Sequence, residues 1–150
     1  MKNIIIKNKK ATFKFIFLET EIAGIMLKGT EIKSIKMGKA HFTDSFCYFK
    51  NNELWLKNFY ISEYNKEHYQ NHNPIRDKKL LLTKKQLLKF NTKVNEKGLT
   101  IVPIKLFINN KGIAKIEIAL SKGKSILDKR QIIKENDIKK EMDREIKNII

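Results

Sequence analysis

LTIVPIKLFI (residues 99–108), NNKG (109–112) and IAKIEIAL (113–120) lie end to end. Two runs rich in β-branched residues, separated by Asn, Gly and Lys, read as a β-hairpin. A second hairpin is written upstream. Phe42 to Phe49 is strand-like, Asn51-Asn52 tolerates the positive φ values of a tight turn, and Leu54-Trp55-Leu56 begins the return. Phe13, Phe15 and Phe17 alternate with Lys14 and Ile16, and apolar residues resume at Ile22, Ala23, Ile25 and Leu27. This pattern predicts a long early strand with the three phenylalanines in the core and Gly24 at a bend or bulge.

Helical signals are fewer. Thr30 is placed to cap a short helix carrying Ile32 and Ile35, with Gly38 as its stop. The segment from Ser62 to Lys79 has little periodicity and reads as a long loop. Leu80, Leu81, Leu87, Leu88 and Val94 have helical spacing, ended by Gly98. Five or six antiparallel strands with two or three short helices predict a mainly β protein. Closure removes exposed edges, so the expected architecture is an oligonucleotide-binding-type antiparallel β-barrel, partly open and five-stranded. The barrel is expected over residues 1–127, with a C-terminal tail, disordered or helical, over 128–150.

Charge points to the partner. Thirty-two basic against sixteen acidic residues leave +16. The stretch from Asp128 onward carries only +1 of it, so +15 falls on residues 1–127. A field of this sign attracts polyanions, because neutralising phosphates releases condensed counterions. Four basic segments concentrate it. They run through Asn8, Lys9 and Lys10; through Lys33, Lys36 and Lys39; through His72, Arg76, Lys78 and Lys79; and through Lys122 and Lys124. Lysine supplies charge there and Arg76 a bidentate fork, contacts that position RNA without reading its sequence. Tyr60, Tyr64 and Tyr69 are candidates to stack on unpaired bases.

Catalytic signatures are scarce. His68 and His72 have the i, i+4 spacing of a helical metal pair, but Pro74 turns Asn73 away from helix and no carboxylate or second cysteine completes a ligand set. There is no P-loop and no Gly-x-Ser-x-Gly elbow. Glu19, Glu21, Glu31, Asp44 and Glu117 are scattered through probable strands and specify no acid–base pair. A non-enzyme without cofactor or metal is expected. The lone Cys47 cannot form an internal disulfide, and the apolar run Ile4–Ile6 is far short of a membrane span. Both fit a cytoplasmic protein. In the tail, Ile138, Met142, Ile146 and Ile149 share one helical face, with Asp137 as a cap. Two placements stay open: a tail loose in isolation that orders on a partner, or a helix docked on its own barrel.

At these same residues the chain resembles the SsrA-binding protein family. The blocks are GTEIKS with GK after it (29–39), NHNPIR leading into KLLL (71–82), GLTIVP (98–103) and ALSKGK followed by DKR (119–130). They stand in the family's order and span nearly the whole chain. The resemblance implies a barrel gripping the tRNA-like part of transfer-messenger RNA. It also implies a tail that becomes helical in the decoding centre and messenger channel of a stalled ribosome. Delivery with GTP-bound elongation factor Tu is implied too. Asn8 and Lys115 match family positions involved in RNA binding, and Asp128, Lys129 and Arg130 match a tail motif needed after delivery. Lys134, Lys139, Lys140 and Arg144 extend the expected ribosome-contacting tail. The chain departs from the family at Thr12-Phe13, usually Arg-His, at Ile22, usually Glu, and at Leu127, commonly His or Tyr. These changes remove a cation, a carboxylate and a stacking ring. A general translation-associated RNA-binding barrel is the competing reading; it explains charge and fold but not the ordered blocks.

Overall fold

The computed structural model describes residues 4–64 and 71–124. In chain order the elements are β1 (Ile5–Lys7), α1 (Lys9–Lys14), β2 (Phe15–Ile25), α2 (Gly29–Lys36), β3 (Ala40–Lys50), β4 (Glu53–Ile61), β5 (Lys78–Leu81), α3 (Lys84–Lys97), β6 (Thr100–Ile108) and β7 (Ala114–Gly123). All strand pairings are antiparallel, in the order β1-β6-β3-β4-β5-β2-β7. An added β6–β7 pairing closes six of them into a barrel, and β1 extends the edge of β6 beyond β3. The expected antiparallel barrel is present, closed and with one strand more than five.

Both hairpins form where local chemistry demands them. Asn51 and Asn52 take φ of 53° and 61°, the left-handed pair of a tight two-residue turn. At the second turn the Asn109 side-chain oxygen accepts the N–H groups of Lys111 and Ile113, and Gly112 supplies φ of 77°. Alternate residues of the strands then point inward. Leu54, Leu56, Phe59 and Ile61 from β4 meet Ile116, Ile118 and Leu120 from β7 and Ile101 and Leu106 from β6. From α3, Phe90 is buried in the same core, with Leu87 and Val94 packed against it. Burial of each such side chain contributes about 1.5–3 kcal/mol.

Four expectations are corrected. Residues 9–14 form α1, so the early strand begins at Phe15, not Phe13. Phe13 is 69% exposed, while Phe15 and Phe17 are half-buried. The bulge falls between Phe17 and Glu19, leaving Gly24 paired on both sides, to Leu81 and to Lys115. The short helix begins at Gly29 with Lys28 as N-cap; its N–H donates to the Glu31 carboxylate at 2.7 Å, and Thr30 is occupied by His72. Leu80 and Leu81 belong to strand β5 rather than to a helix. The helix starts at Lys84 behind the Thr83–Gln86 capping box, in which Gln86 N–H donates to Thr83 Oγ1 at 3.2 Å and Thr83 N–H to Gln86 Oε1 at 2.9 Å. Gly38 and Gly98 end their helices as expected, with φ of 72° and 63°. Tail residues 128–150 lie outside the described residues.

The β2–β5 seam is two residues long, Gly24 facing Leu81 and Ile25 facing Leu80. A Cβ on Gly24 would stand 3.2 Å from Leu81 Cβ. Gly24→Val should therefore destabilise the protein by about 1–3 kcal/mol, the range of overpacked sites. A urea titration followed by circular dichroism measures this, and an unchanged midpoint would contradict it.

Candidate nucleic-acid interface

Two groups of exposed cations stand at the ends of β2, a strand of eleven residues and thus roughly 33 Å long, while others lie on α3 and on β3 and β4. At the start of β2, α1 carries Lys9 and Lys10 on the surface. The end of β7 runs alongside, Ile16 facing Lys122, and the Lys124 N–H donates to the Lys14 carbonyl at 2.9 Å. Lys14 itself is held by Asp44 at 2.8 Å, and that lysine keeps the Asp44 carboxyl below the usual range. A cleft of about 360 Å³ between Lys10, Phe15, Phe46 and Thr100 adjoins this group. Asn8, expected at RNA, is buried: its amide donates to the Pro103 carbonyl at 2.8 Å and its N–H to Ile104 at 2.9 Å. It ties α1 to β6 and so places Lys9 and Lys10.

At the far end of β2, α2 presents Lys33 and Lys36, with Lys39 just beyond it, all exposed. Three side-chain links fasten this helix. Arg76 forks onto the fully buried Glu31, Nη2 to Oε1 at 2.5 Å and Nε to Oε2 at 3.3 Å. His72 is 2% exposed, with Nδ1 2.9 Å from Thr30 Oγ1 and Nε2 2.9 Å from the Ile61 carbonyl. That carbonyl requires Nε2 to carry a proton. Ser34 Oγ donates to the Ser62 carbonyl at 2.6 Å. Both ring nitrogens of His72 are thus bonded inside the protein, and Arg76 also donates to the Asp77 and Met26 carbonyls. These bonds fasten α2 from within the protein.

Lys78 corrects the sequence reading most sharply. It is 0% exposed, its Nζ donates to the Phe59 carbonyl at 2.5 Å and lies 5.4 Å from the Phe59 ring centroid. No phosphate reaches it. The alternation of β5 sends Lys78 and Leu80 inward and Lys79 outward, where Lys79 pairs with Glu53 at 3.1 Å. Lys115 is half-buried on β7, facing Phe107 and Gly24, seven residues from Lys122. Tyr60 stacks on the exposed His41, centroids 4.8 Å apart, and Tyr64 lies under Lys33. Tyr69 and the tail residues from Asp128 to Arg144 lie outside the described residues. The sequence reading missed Glu31, although a carboxylate three residues after an N-cap is a known cap signal. No group of three or more potential metal ligands occurs among the described residues, and no helix there is long and apolar enough to cross a membrane.

A closed antiparallel barrel that turns its apolar residues inward and sets lysine groups outside is a basic β-barrel of the nucleic-acid-binding kind. The chain belongs to the SmpB family: the family model described as SmpB protein matches residues 5–148. The SsrA-binding protein of Parabacteroides distasonis is 55% identical over 145 residues, covering 97% of this chain and 95% of that one. That of Cytophaga hutchinsonii is 54% identical over 144 residues, covering 96% and 94%. A solved structure described as "tmRNA-SmpB: a journey to the center of the bacterial ribosome" superposes with a TM-score of 0.69 at 46% identity, covering 82% of this chain and 86% of that one.

Burial pushes the Lys78 ammonium down from 10.5 to about 8, with Glu31 partly opposing and Arg76 assisting. Between those two values the unfolded chain binds more protons, so this group makes stability rise with pH. Tyr48, whose hydroxyl is raised by its bond to Asp77, acts oppositely above pH 10. Urea midpoints should therefore show an upward contribution between pH 8 and 10 that Lys78→Met removes. Equal pH profiles for the two proteins would contradict the buried-ammonium assignment.

Proposed function

We propose that this chain binds the tRNA-like part of transfer-messenger RNA and brings it to stalled ribosomes for trans-translation. One observation carries the reading: 55% identity over 97% of the chain to an SsrA-binding protein, together with 46% identity over 82% of it to a chain solved as a tmRNA–SmpB structure. The lysine groups at the two ends of β2 support it physically. They give a folded RNA several phosphate contacts from a rigid frame, and backbone contacts of this kind fix register without reading bases.

In this reading Lys9, Lys10, Lys122 and Lys124 form one grip and Lys33, Lys36 and Lys39 another, with Lys115 opposite Gly24 near the second. The chain carries no chemistry of its own. GTP hydrolysis belongs to elongation factor Tu, which accompanies the charged RNA. Residues 128–150 act as a separate arm at the decoding centre and messenger channel, through Asp128, Lys129, Arg130, Lys134, Lys139, Lys140 and Arg144. The site of action is the cytoplasm. Of the family departures, Ile22 is exposed on the outer face of β2 and Thr12 and Phe13 are exposed on α1, so each alters the surface rather than the core.

Competition binding tests the reading. Its own organism's transfer-messenger RNA should outcompete elongator tRNA and ribosomal RNA fragments at physiological salt. Log affinity should fall steeply with log salt, by about 0.9 per duplex phosphate contact, and Lys33→Gln with Lys36→Gln should reduce that slope. Equal affinity for all three RNAs would favour a generic binder. A chain ended at Leu127 should still bind the RNA yet fail to support peptide tagging on stalled ribosomes. Lost RNA affinity on that truncation would make the tail part of the primary grip.

A further inference from the structure

We propose that the outer face of β3, β4 and β5 is a second RNA surface, a stacking platform for an unpaired stretch built from Phe46, Tyr48 and Trp55. The inference rests on the RNA-binding reading above and adds a site with a different ligand geometry. Strand alternation creates it. Ser45 and Cys47 on β3, and Leu54 and Leu56 on β4, are buried, which turns Phe46, Tyr48 and Trp55 to the other face. Tyr48 faces Trp55 across the β3–β4 ladder, and the Phe46 and Tyr48 ring centroids are 6.3 Å apart at 53°. The Tyr48 hydroxyl donates to Asp77 at 2.7 Å, which fixes that ring.

The charge on this face points to an occupant. Glu53 is paired with Lys79 and Asp44 with Lys14, while Asp77 accepts the Tyr48 hydroxyl. Lys50 and Lys57 are exposed, with no carboxylate in salt-bridge range among the described residues. Aromatic rings interleaved with unneutralised cations are the chemistry of single-stranded nucleic acid. Protein interface cores are instead depleted in lysine, which makes a protein partner the poorer fit.

Trp55 is the only tryptophan of the chain and therefore a built-in reporter. The full-length protein is titrated with an unstructured ten-nucleotide RNA while Trp55 emission is recorded, and separately with folded transfer-messenger RNA by filter binding. The short RNA should quench Trp55 saturably. Tyr48→Leu and Phe46→Leu should each weaken it by about fivefold to one-hundredfold, the effect of losing one base–aromatic stack. Tyr48→Phe, which keeps the ring, should bind like the unaltered protein. Lys57→Gln should lower the log–log salt slope by about 0.7. Thermal melts confirm that each variant is folded. The platform is refuted if folded RNA binds with a steep salt dependence while the short RNA leaves Trp55 emission, or its affinity for the leucine variants, unchanged. Absence of binding by either RNA sinks the RNA reading as a whole.

Discussion

Closure of the sheet makes the barrel. β2 gives one edge to β7 over nine paired positions and the other to β5 over only two. Such a short seam holds the barrel shut because Gly24 lets the backbones approach, with Leu81 Cβ occupying the space a side chain would need. Once closed, the barrel has an inside, and Phe59, Ile116, Ile118 and Phe90 fill it. It also has two ends, and those ends carry the lysine groups.

A polar layer inside one end sets the second group. Glu31 is a carboxylate without solvent, and in an apolar medium it would be costly. Arg76 and the Lys28 N–H surround it, and Lys78 lies close enough to have its own ionisation shifted by it. This arrangement places an acid at the centre of a basic surface, where it fastens α2 and leaves Lys33, Lys36 and Lys39 free to face outward. Elsewhere the same logic appears on the surface. Glu19 on β2 is bridged by Lys89 and Lys93, which keeps its carboxyl below the usual range and ties α3 across that strand.

What could be read from the chain divides along the range of the interactions. The Asn51-Asn52 and Asn109–Gly112 turns and the Gly38 and Gly98 stops were legible, because each depends on its own backbone. The early strand was misjudged at its start, since Phe13, Phe15 and Phe17 alternate in a way that hides the helix through Lys14. Leu80 and Leu81 continued an apolar run into a helix, although Thr83 and Gln86 mark the true start. Lys9, Lys10, Lys33, Lys36, Lys39 and Lys122 stand exposed and Lys124 half-buried. Lys78 does not, because neighbours in the KKLL run differ only by which face of a strand they occupy. Asn8, His72 and Arg76, expected at RNA, each bond within the protein. Their partners, Pro103, Thr30 and Glu31, lie 95, 42 and 45 residues away along the chain, beyond any local pattern.

Together these features describe a frame that sets two lysine groups at the ends of one strand while other exposed lysines stand on α3, β3 and β4, and the proposal is that RNA engages the first two. Lysine acetylation footprinting, with and without bound transfer-messenger RNA, tests it most directly. Bound RNA should protect the 9–10, 122–124 and 33–39 groups, while Lys84, Lys85 and Lys97 on α3 stay reactive and Lys78 stays unreactive in both states. Uniform protection of every exposed lysine, or protection confined to α3, would contradict the account.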